Sequence, residues 1–153
     1  MQVCFIGHRT IDKTEQLISS LKEAIINLIN KGVTKFLFGS VGEFNSLALE
    51  IVTQLKKIYP FIKRVYIRTN YPNIEKFYEE YLLKFYEETY FPPKLQNAGK
   101  YSYVERNYYM IDSSNYCIFY CDKKYVPPLK QACKQNTLLF PKRNSGTNIA
   151  YDY

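Results

Sequence analysis

Short apolar runs alternate with stretches of helical period along the first half of the chain. Residues 3–6 form a compact apolar run closed by Gly7, which reads as a first strand. Residues 11–31 carry Leu17, Ile18, Leu21, Ile25, Leu28 and Ile29 at helical spacing. Gly32 follows where a helix end favours a left-handed residue. Residues 33–38 make a second strand run, ended by Gly39. A second helix is expected over 41–58, with Phe44, Leu47, Ala48, Ile51 and Leu55 on its apolar face and Pro60 as its stop. Residues 62–67 read as a third strand. Strand, helix, strand, helix, strand at short spacing specifies a parallel sheet with helices on its faces, an α/β class.

The second half is more aromatic. Residues 73–90 place Phe77, Tyr78, Tyr81, Leu82, Phe85 and Tyr86 at helical spacing, with glutamates on the other side. That pattern predicts an amphipathic helix whose aromatic stripe packs into the core, ended by Pro92-Pro93. A further helix is expected over 103–113 and a fourth strand over 116–120. Residues 122–143 read as an irregular loop, and Ser145-Gly146-Thr147 as the opening of a last short helix reaching Tyr153.

The length of 153 residues suits one domain. Hydrophobic residues at 46% and charged residues at 23% exclude a disordered chain. No apolar run approaches the ~18–20 residues of a membrane span. Residues 1–7 lack a basic flank and read as a strand, not a signal peptide. Cys4, Cys117, Cys121 and Cys133 form no Cys-x-x-Cys pair, and His8 is the only histidine, so no zinc or other metal site is expected. Buried free thiols in a reducing compartment, the cytoplasm, are the expectation.

In an open parallel sheet, ligands sit at the carboxyl ends of the strands. The segments that follow the strands are Gly7-His8-Arg9, Gly39-Ser40-Val41-Gly42-Glu43, Arg68-Thr69-Asn70 and, beyond the basic loop, Ser145-Gly146-Thr147. They are expected to converge on one crevice. Two of them are glycine-containing loops feeding a helix start, where unpaired N–H groups suit a phosphate. Neither is a P-loop or a G-x-G-x-x-G fingerprint. Arg9 can grip a phosphate or carboxylate with two parallel bonds. His8 serves either as a ligand contact or acid/base group, or as a structural histidine. Glu43 has two readings. Ser40-Val41-Gly42-Glu43 fits a capping box; alternatively Glu43 is a carboxylate at the mouth of the site, binding ribose hydroxyls or stabilising an oxocarbenium ion. Arg106 and Asn107 either reach the crevice or are solvated.

Four segments together resemble the SLOG superfamily, and more closely its small YpsA-like bacterial members. They are CFIGHR at 4–9, FGSVGEFNSLA at 38–48, ERNYYMID at 105–112 and SGTNIA at 145–150. The resemblance covers nearly the whole chain. It implies a Rossmann-like three-layer sandwich, with a mainly parallel sheet of at least four strands and helices on both faces. It also implies a pocket for a nucleotide or nucleotide-derived ligand such as ADP-ribose, NAD or AMP. Gly7, His8 and Arg9 match the first motif; Gly39, Phe44 and Ala48 the second; Arg106, Asn107 and Met110 the third; Ser145, Gly146, Thr147 and Ala150 the fourth. Two departures bear on chemistry. Asn45 stands where the second motif usually carries an acid. The LOG-type phosphoribohydrolases, distant relatives, place a Glu soon after their Gly-Thr, and here only Asp152 lies near. Relatives also continue into another strand where this chain stops, which predicts an open sheet edge suited to a homodimer.

Binding without turnover, by a sensor or sequestering module, is therefore expected ahead of hydrolysis. In that reading Gly7, His8, Arg9, Gly39, Ser40, Gly42, Asn45, Arg106, Asn107, Ser145, Gly146 and Thr147 hold the ligand, and no other cofactor is required. The alternative enzyme is a nucleotide N-glycosidase with Glu43 as its catalytic carboxylate. A second alternative is a nucleic-acid binder, suggested by the net charge of +7 and 17% aromatics. The charge argues against a polymer groove. Residues 122–143 hold Lys123, Lys124, Lys130, Lys134, Lys142 and Arg143 against Asp122 alone. An excess gathered in one loop suits a basic flap that concentrates a small anionic nucleotide.

Overall fold

The computed structural model describes residues 1–39, 42–69 and 76–121, together with the backbone of 147–152; Cys121 is described by its backbone alone. The strands are β1 (Gln2–Ile6), β2 (Lys35–Phe38), β3 (Lys63–Ile67), β4 (Glu88–Tyr90), β5 (Tyr116–Cys121) and β6 (Thr147–Asp152). The helices are α1 (Glu15–Asn30), α2 (Glu43–Lys56), α3 (Lys76–Leu82) and α4 (Ser102–Ser113). All the strands lie in one six-stranded sheet, in the order β4-β3-β2-β1-β5-β6, and every neighbouring pair is parallel. This is the expected α/β, Rossmann-like architecture.

Local chemistry sets the helix ends. Thr14 caps α1, its Oγ1 accepting from the Leu17 N–H at 3.1 Å. At the other end Gly32 takes a φ of +93°, and the Val33 and Gly32 N–H groups donate to Leu28 and Ile29 carbonyls. That is a Schellman closure, which needs a left-handed residue at this point.

Strand alternation divides the core. Val3, Phe5, Phe36, Phe38, Ile118 and Tyr120 face α1 and α2 in one cluster. Cys4, Ile6, Leu37, Val65, Ile67 and Cys117 face Met110 and Ile111 of α4 in the other. Right-handed crossovers stepping from β1 to β3 put α1 and α2 on one face; the step back from β4 to β5 puts α4 on the opposite one. Cys4 and Cys117 are buried and take part in no disulfide. No helix among the described residues is long and apolar enough to cross a membrane.

Two segments depart from the expected elements. The predicted helix over 73–90, of which 73–75 lie outside the described residues, ends at Leu82, and its last residues form β4. Glu87 and Glu88 explain the change. The Glu87 carboxylate grips the Arg64 guanidinium (Nη2–Oε1 2.6 Å) and accepts from the Arg64 backbone N–H at 2.6 Å. Glu88 pairs with Lys63 at 2.7 Å. Burial pushes the Glu87 carboxyl up, but Arg64 and Lys56 outweigh it and hold it below its ordinary value. Pairing to β3 thus overrides helix propensity, a common outcome of tertiary context. Most of the aromatic stripe is not core: Phe77 is 80% exposed, and Tyr78, Tyr81 and Phe85 are exposed too, while Leu82 is buried and Tyr86 packs against the first core cluster.

The last segment is the second departure. Residues 147–152 form strand β6, not a helix, and pair along the whole of β5. It lies outside β5 and is itself an edge strand of the sheet. Thr147, Ile149 and Tyr151 alternate with smaller or polar residues, the period of a strand.

Candidate functional site

The strand order reverses between β1 and β5, so the crevice of a doubly wound sheet lies beyond their carboxyl ends and those of β2. Gly7-His8-Arg9 and Gly39 stand there. Each glycine makes room for one neighbour. A Cβ on Gly7 would lie 2.3 Å from Cδ1 of Phe44, so its absence lets the first turn of α2 close onto the end of β1. Phe44 then stacks on Tyr120 at 5.3 Å, and His8 meets the same tyrosine edge-on at 5.8 Å. His8 is buried, at 4% exposure, while the Arg9 side chain is exposed.

The start of α2 is tied to the loop after β1. The Glu43 N–H donates to the Arg9 carbonyl at 2.8 Å. Its carboxylate Oε2 accepts from the Ile11 N–H at 2.8 Å. Gly42 is the N-cap and offers no side-chain cap, so Glu43 is the first helical residue rather than the third. The capping-box register is therefore not adopted; Glu43 clamps a neighbouring loop instead.

Gly39 accommodates an arginine from the opposite layer. A Cβ there would lie 2.7 Å from both Arg106 Nε and Met110 Sδ. Arg106 rises from α4, crosses the end of β2 over this bare backbone, and is only 4% exposed. Its guanidinium carbon lies 5.3 Å from the Tyr103 ring centroid. The Nη2 group reaches Asn107 Oδ1 at a long 3.4 Å, and Nε has no hydrogen-bond partner. Among the described residues no carboxylate pairs with it. Burial pulls its pKa below the ordinary arginine value, opposed only by Tyr66 and Tyr103. Tyr66 is itself pushed up, first by burial and then by Tyr78. A second polar atom is also orphaned: Asn45, in the first turn of α2, is 3% exposed, and its Oδ1 has no partner.

Buried polar groups are nearly always satisfied, and a buried cation without a counter-charge is costly. A ligand that brought negative charge to the end of β2 would meet the need of the guanidinium.

The remaining candidates fall elsewhere. Ser40, Ser145 and Gly146 lie outside the described residues, as does the basic loop 122–143. Thr147 is not brought to the crevice. It stands level with Tyr116, the first residue of β5, five residues or ~17 Å short of that strand's carboxyl end. The reason is the parallel course of β6, which carries Asp152, not Thr147, toward that edge. Reasoning from sequence missed Tyr103 as the ring against Arg106. Its signal was present, since it lies three residues before Arg106 and so on the same helix face.

No curated protein matches the sequence. The YpsA family, described as the YspA SLOG family, matches residues 6–138, from the last residue of β1 through β5. Such membership points to a nucleotide-related role in general terms. By that match over most of its length, the chain belongs to the YspA SLOG family.

Proposed function

We propose that the carboxyl-edge crevice binds a nucleotide or nucleotide-derived ligand of the AMP, ADP-ribose or NAD kind without turning it over, as a sensor or sequestering module. One observation carries the reading. Arg106 is a buried guanidinium with an unpartnered Nε, delivered across Gly39 to the end of β2. Guanidinium is the side chain best matched to a phosphate, to which it can donate in parallel pairs. Asn45 supplies an acceptor for a ribose hydroxyl. Glu43 already spends one oxygen on the Ile11 N–H, which supports a holding role over a catalytic one.

Isothermal titration with AMP, ADP-ribose and NAD tests the reading. At least one ligand should bind with a Kd well below about 1 mM, and Arg106→Met should weaken it by at least about tenfold. Absence of binding to all three removes the proposal. Chromatography after prolonged incubation should recover the ligand intact; free base would replace binding by hydrolysis.

A further inference from the structure

The carboxyl edge continues past β2. Phe38, Tyr66 and Thr89 stand at one level in β2, β3 and β4. The end of β4 is therefore two strand spacings, about 10 Å, from the end of β2 where Arg106 crosses. At that end lies a cleft of about 380 Å³ lined by Arg68, Thr89, Tyr90, Phe91, Pro93 and Gln96. Its volume falls within the range of small-molecule sites, roughly 300–1,000 Å³.

The walls are flat and braced. Tyr90 stacks on Tyr109 of α4, with centroids 5.6 Å apart and planes 29° apart. Lys94 holds the same Tyr109 ring at 5.5 Å. The Arg68 guanidinium carbon lies 5.9 Å from the Phe91 ring centroid. Gln96 and Thr89 each offer a donor and an acceptor, and among the described residues no carboxylate lines the cleft. Flat aromatic and guanidinium surfaces beside an amide suit a planar nitrogen heterocycle. The cleft and the buried cation also share a helix. Arg106 and Tyr109 lie three residues apart on α4, so one helix face serves both.

We infer that this cleft is the nucleobase subsite for the ligand whose anionic end is held at Arg106. The inference deepens the binding reading above and rests on it for the position of the phosphate. The base lies against Tyr90 and Arg68, Gln96 reads its edge, and the sugar spans the ends of β2 and β3.

Three probes separate the two ends: ribose 5-phosphate for the anion, adenosine for the base, and AMP for both. Titration of the full chain should show AMP binding at least about tenfold tighter than ribose 5-phosphate. Gln96→Leu, at an exposed position, should weaken adenosine and AMP by a common factor of about five to ten, one lost hydrogen bond. Tyr90→Ala should do the same through lost stacking. If ribose 5-phosphate binds as tightly as AMP and adenosine does not bind, the subsite is overturned and the anion reading stands. If adenosine binds in a Gln96-dependent way while ribose 5-phosphate does not, the subsite stands and the anion reading falls. If none of the three binds, both fall.

Discussion

Replacing Arg106 with methionine should raise the stability of the ligand-free protein while removing its affinity for phosphate. The Nε group is buried without a partner, and such a donor on a charged group costs about 1–3 kcal/mol. Methionine keeps most of the apolar stem that lies over Gly39 and against Met110. What is lost is the long 3.4 Å bond to Asn107, weak at that length, and the contact with Tyr103, a residue 55% exposed, for which a cation–π value of about 0.5–1 kcal/mol is appropriate. The net is a gain of roughly 0.5–2 kcal/mol, or about 1–8 °C in Tm for a domain of this size. Differential scanning fluorimetry on the ligand-free protein measures it, with titration of AMP alongside. A fall in Tm of several degrees with AMP binding intact would refute the reasoning, because Arg106 would then be a structural cation. A rise in Tm with binding lost is the signature of a residue kept for its ligand at a cost in stability.

Gly7→Ala should lower Tm by about 2–12 °C, from an overpacking cost of about 1–3 kcal/mol, because the Phe44 ring is buried and stacked on Tyr120 and cannot swing aside; an unchanged melting curve would show that the α2 start is looser than described. Gly39→Ala meets side chains instead of a locked ring, so it should displace Arg106 and weaken AMP about 10–100-fold with a small change in Tm, as titration and melting together report. Glu43→Ala should destabilise by about 1 kcal/mol, read in denaturant melts, by leaving the Ile11 N–H without its acceptor, and Glu43→Gln should recover most of that. Tyr86 is pushed up to about 12, first by burial and then by Tyr66. A phenol whose folded pKa is raised contributes stability that is full below pH ~10 and lost as pH climbs through about 12. Melts across that range should show a decline that Tyr86→Phe flattens, and an identical decline in both proteins would count against the burial.

The first three strands and the first two helices were legible because each carries its own signal. Apolar runs, a 3.6-residue period, Thr14 before α1 and Gly32 after it are all local properties of the chain. The failures share the opposite property. Strand β4 is acidic and aromatic at helical spacing, and only the neighbouring Lys63 and Arg64 of β3 make Glu87 and Glu88 suitable for pairing. The alternating residues of β6 carried a strand signal, but the preceding Ser-Gly-Thr suggested a helix start, and the partner β5 decides the matter. Glu43 fitted a capping box in spacing, yet its carboxylate found Ile11, on a loop set down beside it by the parallel sheet. At the site, Gly39 and Arg106 were both named as candidates, but their relation was invisible. They meet because β2 and α4 belong to different layers that the fold brings together at one edge.

That meeting has a physical consequence for how the site works. An arginine on a surface loop can reach a phosphate cheaply, but it is solvated and salt-screened, and it gives little discrimination. Arg106 approaches through the interior, held between the missing Cβ of Gly39 and the face of Tyr103. Its desolvation is already spent in the fold, so less is lost when an anion arrives, and the low local dielectric strengthens the pair. The same packing makes Arg106 sensitive to α4, whose Met110 and Ile111 anchor the second core cluster. On the proposed reading, ligand charge at the end of β2 would be felt in the layer behind the sheet, while Asn45 and Glu43 lie in the layer in front. An anion in the crevice would clamp the two layers together across the sheet, which is the physical requirement for a domain that registers a nucleotide by a change in its own stability.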